Sequence, residues 1–178
     1  MRTRPTTRRP RLAGYTLIEV LITVTIMGLA AAIVVPNMMQ GGTLGVQAGA
    51  RMIIADLLFT QNEAMAQQSE RRVVFDADGN SYRVERYDST STAWVLEYNP
   101  VLGGDSSAQN YAVDFDEDDR FKGVDIVSAD FGGSSTVTFD DLGNPSSGGT
   151  VRLRFNEHVY EISVAPFTGR VTVEEVTN

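Results

Sequence analysis

The chain has few side chains whose chemistry suits a reaction centre. Its 178 residues include no cysteine and a single histidine, His158. Thiolate metal sites, disulfides and cysteine nucleophiles are therefore excluded, and one imidazole is too few for a histidine-ligated metal centre. No serine lies in a Gly-x-Ser-x-Gly context, and no glycine-rich phosphate-binding motif is present. We predict no catalytic residue and no cofactor.

Clustered carboxylates are the other groups that could bind a ligand. One acidic loop carries Asp114, Asp116 and Asp118 at alternate positions, and a second spans residues 76–80. Carboxylate oxygens are the ligands that calcium prefers, but neither loop has the glycine and glutamate positions of an EF-hand. We interpret both loops as solvated and predict no metal site, with the three aspartates as weak candidates.

Glu19 is an acid at the start of an otherwise apolar segment. Residues 20–50 contain no charge, and the 21 residues from Tyr15 to Val35 are mostly apolar. As a helix they would be about 31 Å long, enough to cross the core of a bilayer. A carboxylate in such a segment costs about 2–3 kcal/mol. The alternative, a buried core helix, is disfavoured because so small a domain cannot surround it.

Two kinds of processing fit this segment. A secretory signal peptide would have a basic start, this apolar stretch and cleavage after Ala30-Ala31-Ala32. That interpretation leaves Glu19 without an explanation.

The second interpretation rests on residues 14–20, Gly-Tyr-Thr-Leu-Ile-Glu-Val, which closely resemble the type IV prepilin signature. The resemblance implies that a prepilin peptidase removes a basic leader, residues 1–14, by cutting between Gly14 and Tyr15. It also implies N-methylation of Tyr15, which keeps the aromatic ring of the phenylalanine usual in the family. Glu19 then becomes the fifth mature residue, where the family has its glutamate.

The same resemblance implies a role for Glu19 in assembly. In a fibre, its carboxylate can meet the terminal ammonium of a neighbouring subunit, and a buried charge is tolerated when it is paired. Further along, Pro36 cannot donate a backbone hydrogen bond and disfavours helix geometry before it. We therefore expect a kink or break near residues 36–45, either as a segment that melts in the fibre or as a plain linker.

The remaining pattern defines the fold class. Helical periodicity continues to about residue 70, and alternating patterns typical of strands follow. The chain is thus predicted to be α+β: a long N-terminal helix over residues 15–70, transmembrane over 15–35, packed on an antiparallel β-domain over 71–178. Strands are expected near residues 72–75, 81–87, 93–98, 123–127, 136–140, 150–156, 158–165 and 170–175, with a polar loop over 99–120.

The helix itself has a face that we expect to pack on the sheet, because its apolar residues are spaced three and four apart. This face carries Ala50, Ile54, Leu57, Leu58, Gln61 and Met65. Asp56 is expected on the opposite face, in water.

The order of elements resembles a narrower family, the minor pseudopilin H of type II secretion, which includes minor type IV pilins of the fimbrial-T kind. The resemblance is carried by the helix over 56–70 and by residues 73–76, 139–143, 146–149 and 168–171. It implies a structural subunit and not an enzyme. It also implies insertion in the inner membrane with a cytoplasmic N-terminus and a periplasmic C-terminal domain, followed by assembly into a pseudopilus. The implied partners are other pseudopilin subunits, the prepilin peptidase and the membrane, with secreted cargo as a further candidate.

Charge bears on the alternatives. Residues 1–14 hold five arginines and no acid, whereas the other residues hold 10 positive and 23 negative charges. Nucleic-acid binding is disfavoured, because it rests on basic residues that neutralise phosphates. A minor type IV pilin for adhesion, motility or DNA uptake remains an alternative. DNA uptake is the least favoured of these three functions, because the chain beyond residue 14 is acidic. An alternative from another class is a secreted or membrane-anchored enzyme of unknown chemistry.

Overall fold

The computed structural model describes residues 15–39, 41–99 and 110–176. The chain divides into two compact units, the first ending at Gln40 and the second beginning at Gly41. Helix α1, Leu17–Met39, belongs to the first unit. Helix α2, Gly41–Gln67, opens the second unit. The predicted leader, residues 1–14, lies outside the described residues.

Helix α1 exposes its apolar side chains. Those that are exposed are Leu17, Ile18, Val20, Leu21, Ile22, Val24, Ile26, Met27 and Leu29, and Tyr15, just before the helix, is exposed as well. Two threonines in this stretch bond back to the helix, Thr23 Oγ1 to the Val20 carbonyl at 2.9 Å and Thr25 Oγ1 to the Leu21 carbonyl at 2.8 Å. Their hydroxyls are therefore satisfied without water.

The described side chains of α1 end at Ala31. Within that part of the chain, neither helix has the length and hydropathy needed to cross a membrane.

The segment around Pro36 is helical where it is described. Pro36 lies within α1, and residues 41–45 lie within α2. Gln40, between them, lies outside the described residues. The kink or break expected near residues 36–45 stays a prediction.

The second unit adds two antiparallel sheets to α2. Its described strands are β1 (Arg71–Asp76), β2 (Ser81–Asp88), β3 (Ala93–Leu96), β4 (Ala112–Asp114), β5 (Asp125–Asp130), β6 (Thr136–Phe139), β7 (Gly149–Phe155), β8 (His158–Val164) and β9 (Val171–Val176). The first sheet has the order β3-β2-β1-β6, with β4 also paired to β2, and the second has the order β5-β7-β8-β9. The α+β class is confirmed.

The strand predictions differ from the structure mainly in one region. The segment expected as a loop over 99–120 contains β4, and a short 3-10 helix at Asp119–Phe121 begins at its end. Residues 100–109 of this loop lie outside the described residues. Strand β4 has only three residues, too few for an alternating pattern to reveal it, and it is defined by its pairing with β2.

The core lies between α2 and the two sheets. The apolar residues of α2 buried there are Val46, Ala50, Ile53, Leu57 and Ala64, at spacings of three, four and seven. This face is rotated relative to the predicted one. Leu58 and Met65, expected inside, are about 40% exposed (40% and 41%), whereas Asp56, expected in water, is 5% exposed. Both faces of α2 are apolar enough to pack, so periodicity alone did not distinguish them.

The adjacent leucines of α2 provide a matched test of this rotation. Leu57→Ala empties a fully buried site and should lower the free energy of unfolding by about 2–5 kcal/mol. Leu58→Ala should cost less, about 1 kcal/mol, because Leu58 is 40% exposed and its removal takes less apolar surface out of the core. Urea unfolding of the full chain in detergent, followed by fluorescence of the single tryptophan, Trp94, measures both. Equal losses would contradict the observed orientation of α2.

Candidate functional site

The start of α1 is the first place where predicted functional residues can be examined. The Glu19 amide donates to Thr16 Oγ1 at 3.3 Å and to the Thr16 carbonyl at 3.1 Å. Thr16 is therefore the N-cap of α1, and it satisfies an amide that has no partner within the helix. Thr-x-x-Glu is the spacing of a capping box, and this signal could have identified Thr16 from the sequence.

Glu19 itself lies exposed in the first turn of α1, where the helix dipole favours a negative charge. No residue in the described part of the chain pairs with its carboxylate. Tyr15, just before the helix, is 83% exposed. Gly14 lies outside the described residues. The arrangement offers a single acid among exposed apolar side chains, which suits pairing with a cation.

The three weak metal candidates are bound to different partners. Asp114 Oδ1 accepts the Asp116 and Glu117 amides at 2.8 and 3.2 Å. Asp116 Oδ1 accepts Asn80 Nδ2 at 2.8 Å. Asp118 pairs with Arg120 Nη2 at 2.5 Å, and this guanidinium lowers the pKa of Asp118. Across residues 15–39, 41–99 and 110–176, no three acidic or histidine side chains group closely enough to hold a metal.

A buried carboxylate that the sequence analysis placed in water lies at the centre of the second unit. Asp56 of α2 accepts the hydroxyl of Tyr82 on one oxygen and that of Tyr111, at 2.7 Å, on the other. Burial raises the pKa of Asp56 and outweighs the two tyrosine hydrogen bonds, which lower it. Burial and the neighbouring carboxylate also raise the pKa of both tyrosines. The cluster ties α2 to β2 and to the residue before β4.

A second polar cluster closes the far end of α2. Arg71 is buried, and its Nε lies 2.7 Å from Glu97 Oε2. Its Nη1 donates to the Ser69 carbonyl at 3.3 Å, and its Nη2 lies 3.8 Å from Glu63 of α2. His158, the one imidazole, is on the surface, with Nδ1 2.9 Å from Glu175 Oε1. The Arg71 cluster joins α2 to the first sheet, and the His158 contact joins β8 to β9.

Solved structures share this architecture. The minor pseudopilin EpsH from the type 2 secretion system of Vibrio cholerae superimposes with a TM-score of 0.55 at 11% identity, covering 73% of this chain and 96% of that one. A second crystal structure of that pseudopilin gives a TM-score of 0.53 at 11% identity, covering 72% and 92%. The type IV minor pilin FimU of Pseudomonas aeruginosa has a TM-score of 0.48 at 18% identity, covering 72% and 87%. No curated protein matches the chain.

A helix packed on two antiparallel sheets, preceded by an apolar helix with a glutamate in its first turn, is the arrangement of a pilin-like protein. Two family models agree. The prokaryotic N-terminal methylation motif matches residues 9–35, and the type II transport protein GspH matches residues 49–169. Because the second match spans more than half of the chain, the protein belongs to the GspH family of type II transport proteins. The resemblance inferred from the sequence is confirmed.

The buried Asp56 gives a prediction about pH. Its pKa is raised above the ordinary 3.8, so the native state binds this proton more tightly than the unfolded state does. The stability that Asp56 contributes is therefore complete below about pH 3.8 and is lost as the pH rises through its raised pKa. We expect the free energy of unfolding of Asp56→Asn, compared with that of the wild type, to rise between pH 3 and pH 7. Urea unfolding of the full chain measures it.

The control for this experiment is Asp141→Asn, which removes an exposed turn carboxylate. Two results would contradict the assignment of this pH dependence to the burial of Asp56. Asp141→Asn could show as large a dependence as Asp56→Asn, or neither variant could show one.

Proposed function

We propose that this chain is a structural minor pseudopilin subunit of type II secretion. It is made as a precursor, cut by prepilin peptidase between Gly14 and Tyr15, N-methylated on Tyr15 and assembled through α1 into a pseudopilus. The observation that carries the proposal is the order of parts. A prepilin-like signature at residues 14–20 leads directly into an apolar helix, and a GspH domain follows.

The exposed surface of α1 supports assembly as the mechanism. Apolar side chains in water cost roughly 25 cal/mol per Å² of surface, so a continuous set of ten requires a covering environment. The inner membrane would supply it before assembly, and helices of neighbouring pseudopilin subunits would supply it afterwards. The five arginines of residues 1–14 favour a cytoplasmic N-terminus, which places the second unit in the periplasm beside partner subunits or secreted cargo.

Glu19 is the one charge in this covered surface, and in the proposed fibre it pairs with the terminal ammonium of a neighbour's Tyr15. An unpaired carboxylate there would be costly, so the pair favours the register in which it forms. Thr16 holds the first turn, and no described side chain of the same subunit pairs with the carboxylate. The position of Glu19 therefore suits a partner from outside the subunit.

The mature N-terminus tests the processing step. Mass spectrometry of the membrane-bound protein should find a chain that begins with N-methylated Tyr15. Gly14→Val should block this cleavage, because a β-branched side chain replaces the hydrogen of glycine at the cut. The matched variant Ala32→Leu, which would block an ordinary signal peptidase, should be processed normally. A mature chain that begins at Ile33 and responds only to Ala32→Leu would rule out the proposal.

Substitution of Glu19 tests the assembly step. Glu19→Leu should leave the protein in the membrane fraction but reduce its incorporation into pseudopili by about tenfold or more, because one buried charge then lacks its partner. Glu19→Gln keeps the length and polarity of the side chain but removes its charge. We expect both variants to fail in crosslinking to partner subunits. Undiminished incorporation of either one would argue against the charge pair.

A further inference from the structure

The second sheet ends in a strand whose outer side has no partner in the described part of the chain. Strand β9 pairs with β8 along all six of its residues without a register shift, and its residues from Thr172 onward are exposed. The other edges differ. Strand β5 shifts its register between Ile126 and Ser128, β3 and β4 have four and three residues, and the Ser146 amide donates to the Thr138 carbonyl on the outer side of β6 at 2.7 Å. Short, irregular or covered edges resist pairing, whereas a long regular edge is a template for another strand.

The outward backbone groups of β9 can be assigned from its hairpin with β8. The Ala165 amide donates to the Arg170 carbonyl at 2.9 Å, so these two residues form a hydrogen-bonded pair of the β8–β9 ladder. Such pairs recur at every second residue of an antiparallel ladder. The even-numbered residues of β9 therefore direct their backbone groups to β8, whereas Val171, Val173 and Glu175 direct theirs outward. No described strand pairs with these outward groups.

The side chains along this edge are complementary to a second copy of the same strand. Arg170 and Glu174 are exposed, and with Thr172 between them they project from the face of the sheet opposite the core. In an antiparallel pair with Thr172 opposite Thr172, Arg170 of each strand lies opposite the partner's Glu174. Val171 then lies opposite the partner's Val173, and each of these valine pairs can exchange two backbone hydrogen bonds. Sliding one strand by two residues in either direction removes both charge pairs.

The cross-strand row that contains Glu174 ends in an unbalanced acid. Arg152 of β7 lies opposite Glu161 of β8, and Glu161 lies opposite Glu174 of β9. Arg152 Nε is 2.6 Å from Glu161 Oε2, so the cation of this row is already paired. Among the described residues, no cation pairs with Glu174. Directly opposed like charges destabilise a sheet, so an arginine opposite Glu174 on an added strand extends this row with the favourable sign.

Other charged groups beside the edge do not oppose a second copy. On the face towards α2, Glu175 accepts the Tyr160 hydroxyl at 3.2 Å, and its other oxygen lies 2.9 Å from His158 Nδ1. In the same register, Glu175 lies opposite the partner's Gly169, which has no charge. Arg51, exposed on α2, has the opposite sign to Glu175. The net acidity of two chains acts over longer distances and is screened beyond about 8 Å at physiological salt.

An exposed apolar flank of α2 lies beside the same edge. Gln47 donates to the Tyr160 hydroxyl of β8 at 3.0 Å, and Gln61 donates to the Thr168 carbonyl in the turn to β9, also at 3.0 Å. This row of the helix therefore lies over the last two strands of the sheet. Leu58 lies on the next row away from the core and is 40% exposed. A second copy joined at β9 covers part of this flank, because its sheet and helix continue past the edge.

We propose that β9 is an interface through which two copies of this chain associate, with their second sheets joined edge to edge and Thr172 at the two-fold axis. A second copy is the occupant because one axis produces both the Arg170–Glu174 pairs and the Val171–Val173 pairs. Such self-complementarity is the property of an isologous interface. This association goes beyond the proposed assembly through α1 and does not depend on it.

Disulfide crosslinking of the full chain in detergent measures the register directly, because the chain contains no cysteine. Thr172→Cys places one thiol on each side of the axis, with Cα atoms about 5 Å apart, a distance that a disulfide bridges. Val176→Cys is the matched control, since its two thiols are then separated by about eight residues, or roughly 26 Å. After oxidation with copper phenanthroline, we expect a crosslinked dimer of Thr172→Cys on non-reducing gels and about tenfold less, or none, of Val176→Cys.

Charge reversal in the Thr172→Cys chain tests the pairing of side chains. Arg170→Glu or Glu174→Arg opposes like charges at two symmetric places and should reduce crosslinking about fivefold. The double variant exchanges the charges and restores both pairs, so it should recover the crosslinking of its parent. Recovery also separates a lost contact from a misfolded domain. Arg86→Glu, a reversal at an exposed position of β2, should have no effect.

Four outcomes would overturn the proposal. Thr172→Cys could give no dimer, or both cysteine variants could crosslink equally, which would assign association to another surface such as α1. The double charge variant could fail to recover, or Arg86→Glu could reduce crosslinking as much as the reversals in β9. Each of these results leaves the proposed role of Glu19 in assembly untouched, so the two proposals fail separately.

Discussion

The packing of one face of α2 against both sheets is the contact on which the second unit depends. Small residues make the approach possible. A Cβ placed on Gly49 would lie 3.3 Å from Phe115 and 3.5 Å from Leu153, which belong to opposite sheets or their adjoining turns. The helix therefore lies close to both sheets at one point, and a larger residue would have to push one of them away. The sheets meet the same helix, so a single core serves both.

This packing also explains the chemistry of Asp56. Asp56 lies on the part of α2 that packs against the first sheet, and its carboxylate therefore loses its hydration. The Tyr82 and Tyr111 hydroxyls replace that hydration with two hydrogen bonds. The result is a link between the helix and the first sheet whose strength depends on protonation. Arg71 and Glu97 form a comparable buried link at the other end of β1.

The two units have opposite physical requirements. The second unit buries its apolar residues internally, whereas α1 exposes a continuous apolar surface interrupted by one acid and by threonines whose hydroxyls bond back to the helix. A helix of this kind is a surface for other molecules to cover. That division suits a structural subunit, in which one part joins a larger assembly and the other presents a folded domain.

Much of this organisation could be predicted from the sequence because the signals are local. The run from Gly14 to Glu19 is a linear signature, and the uncharged stretch after it is equally local. Strand alternation placed most strands within a few residues of their observed bounds, and the hairpin of β1 and β2 follows from its turn at residues 77–80. The short strand β4 and the buried face of α2 could not be predicted, because each depends on what packs against it.

The sequence by itself determined the arginine-rich start, the apolar helix with its acid, and the change from helix to strands near residue 70. Only the tertiary structure decided that Asp56 is buried and that Arg72, Glu85, Arg83 and Trp94 form one cluster of ion pairs and stacking. Those four residues come from three strands, and a register shift of one residue would place them on opposite faces of the sheet. Local patterns determine which elements form, whereas contacts between elements determine which side chains meet.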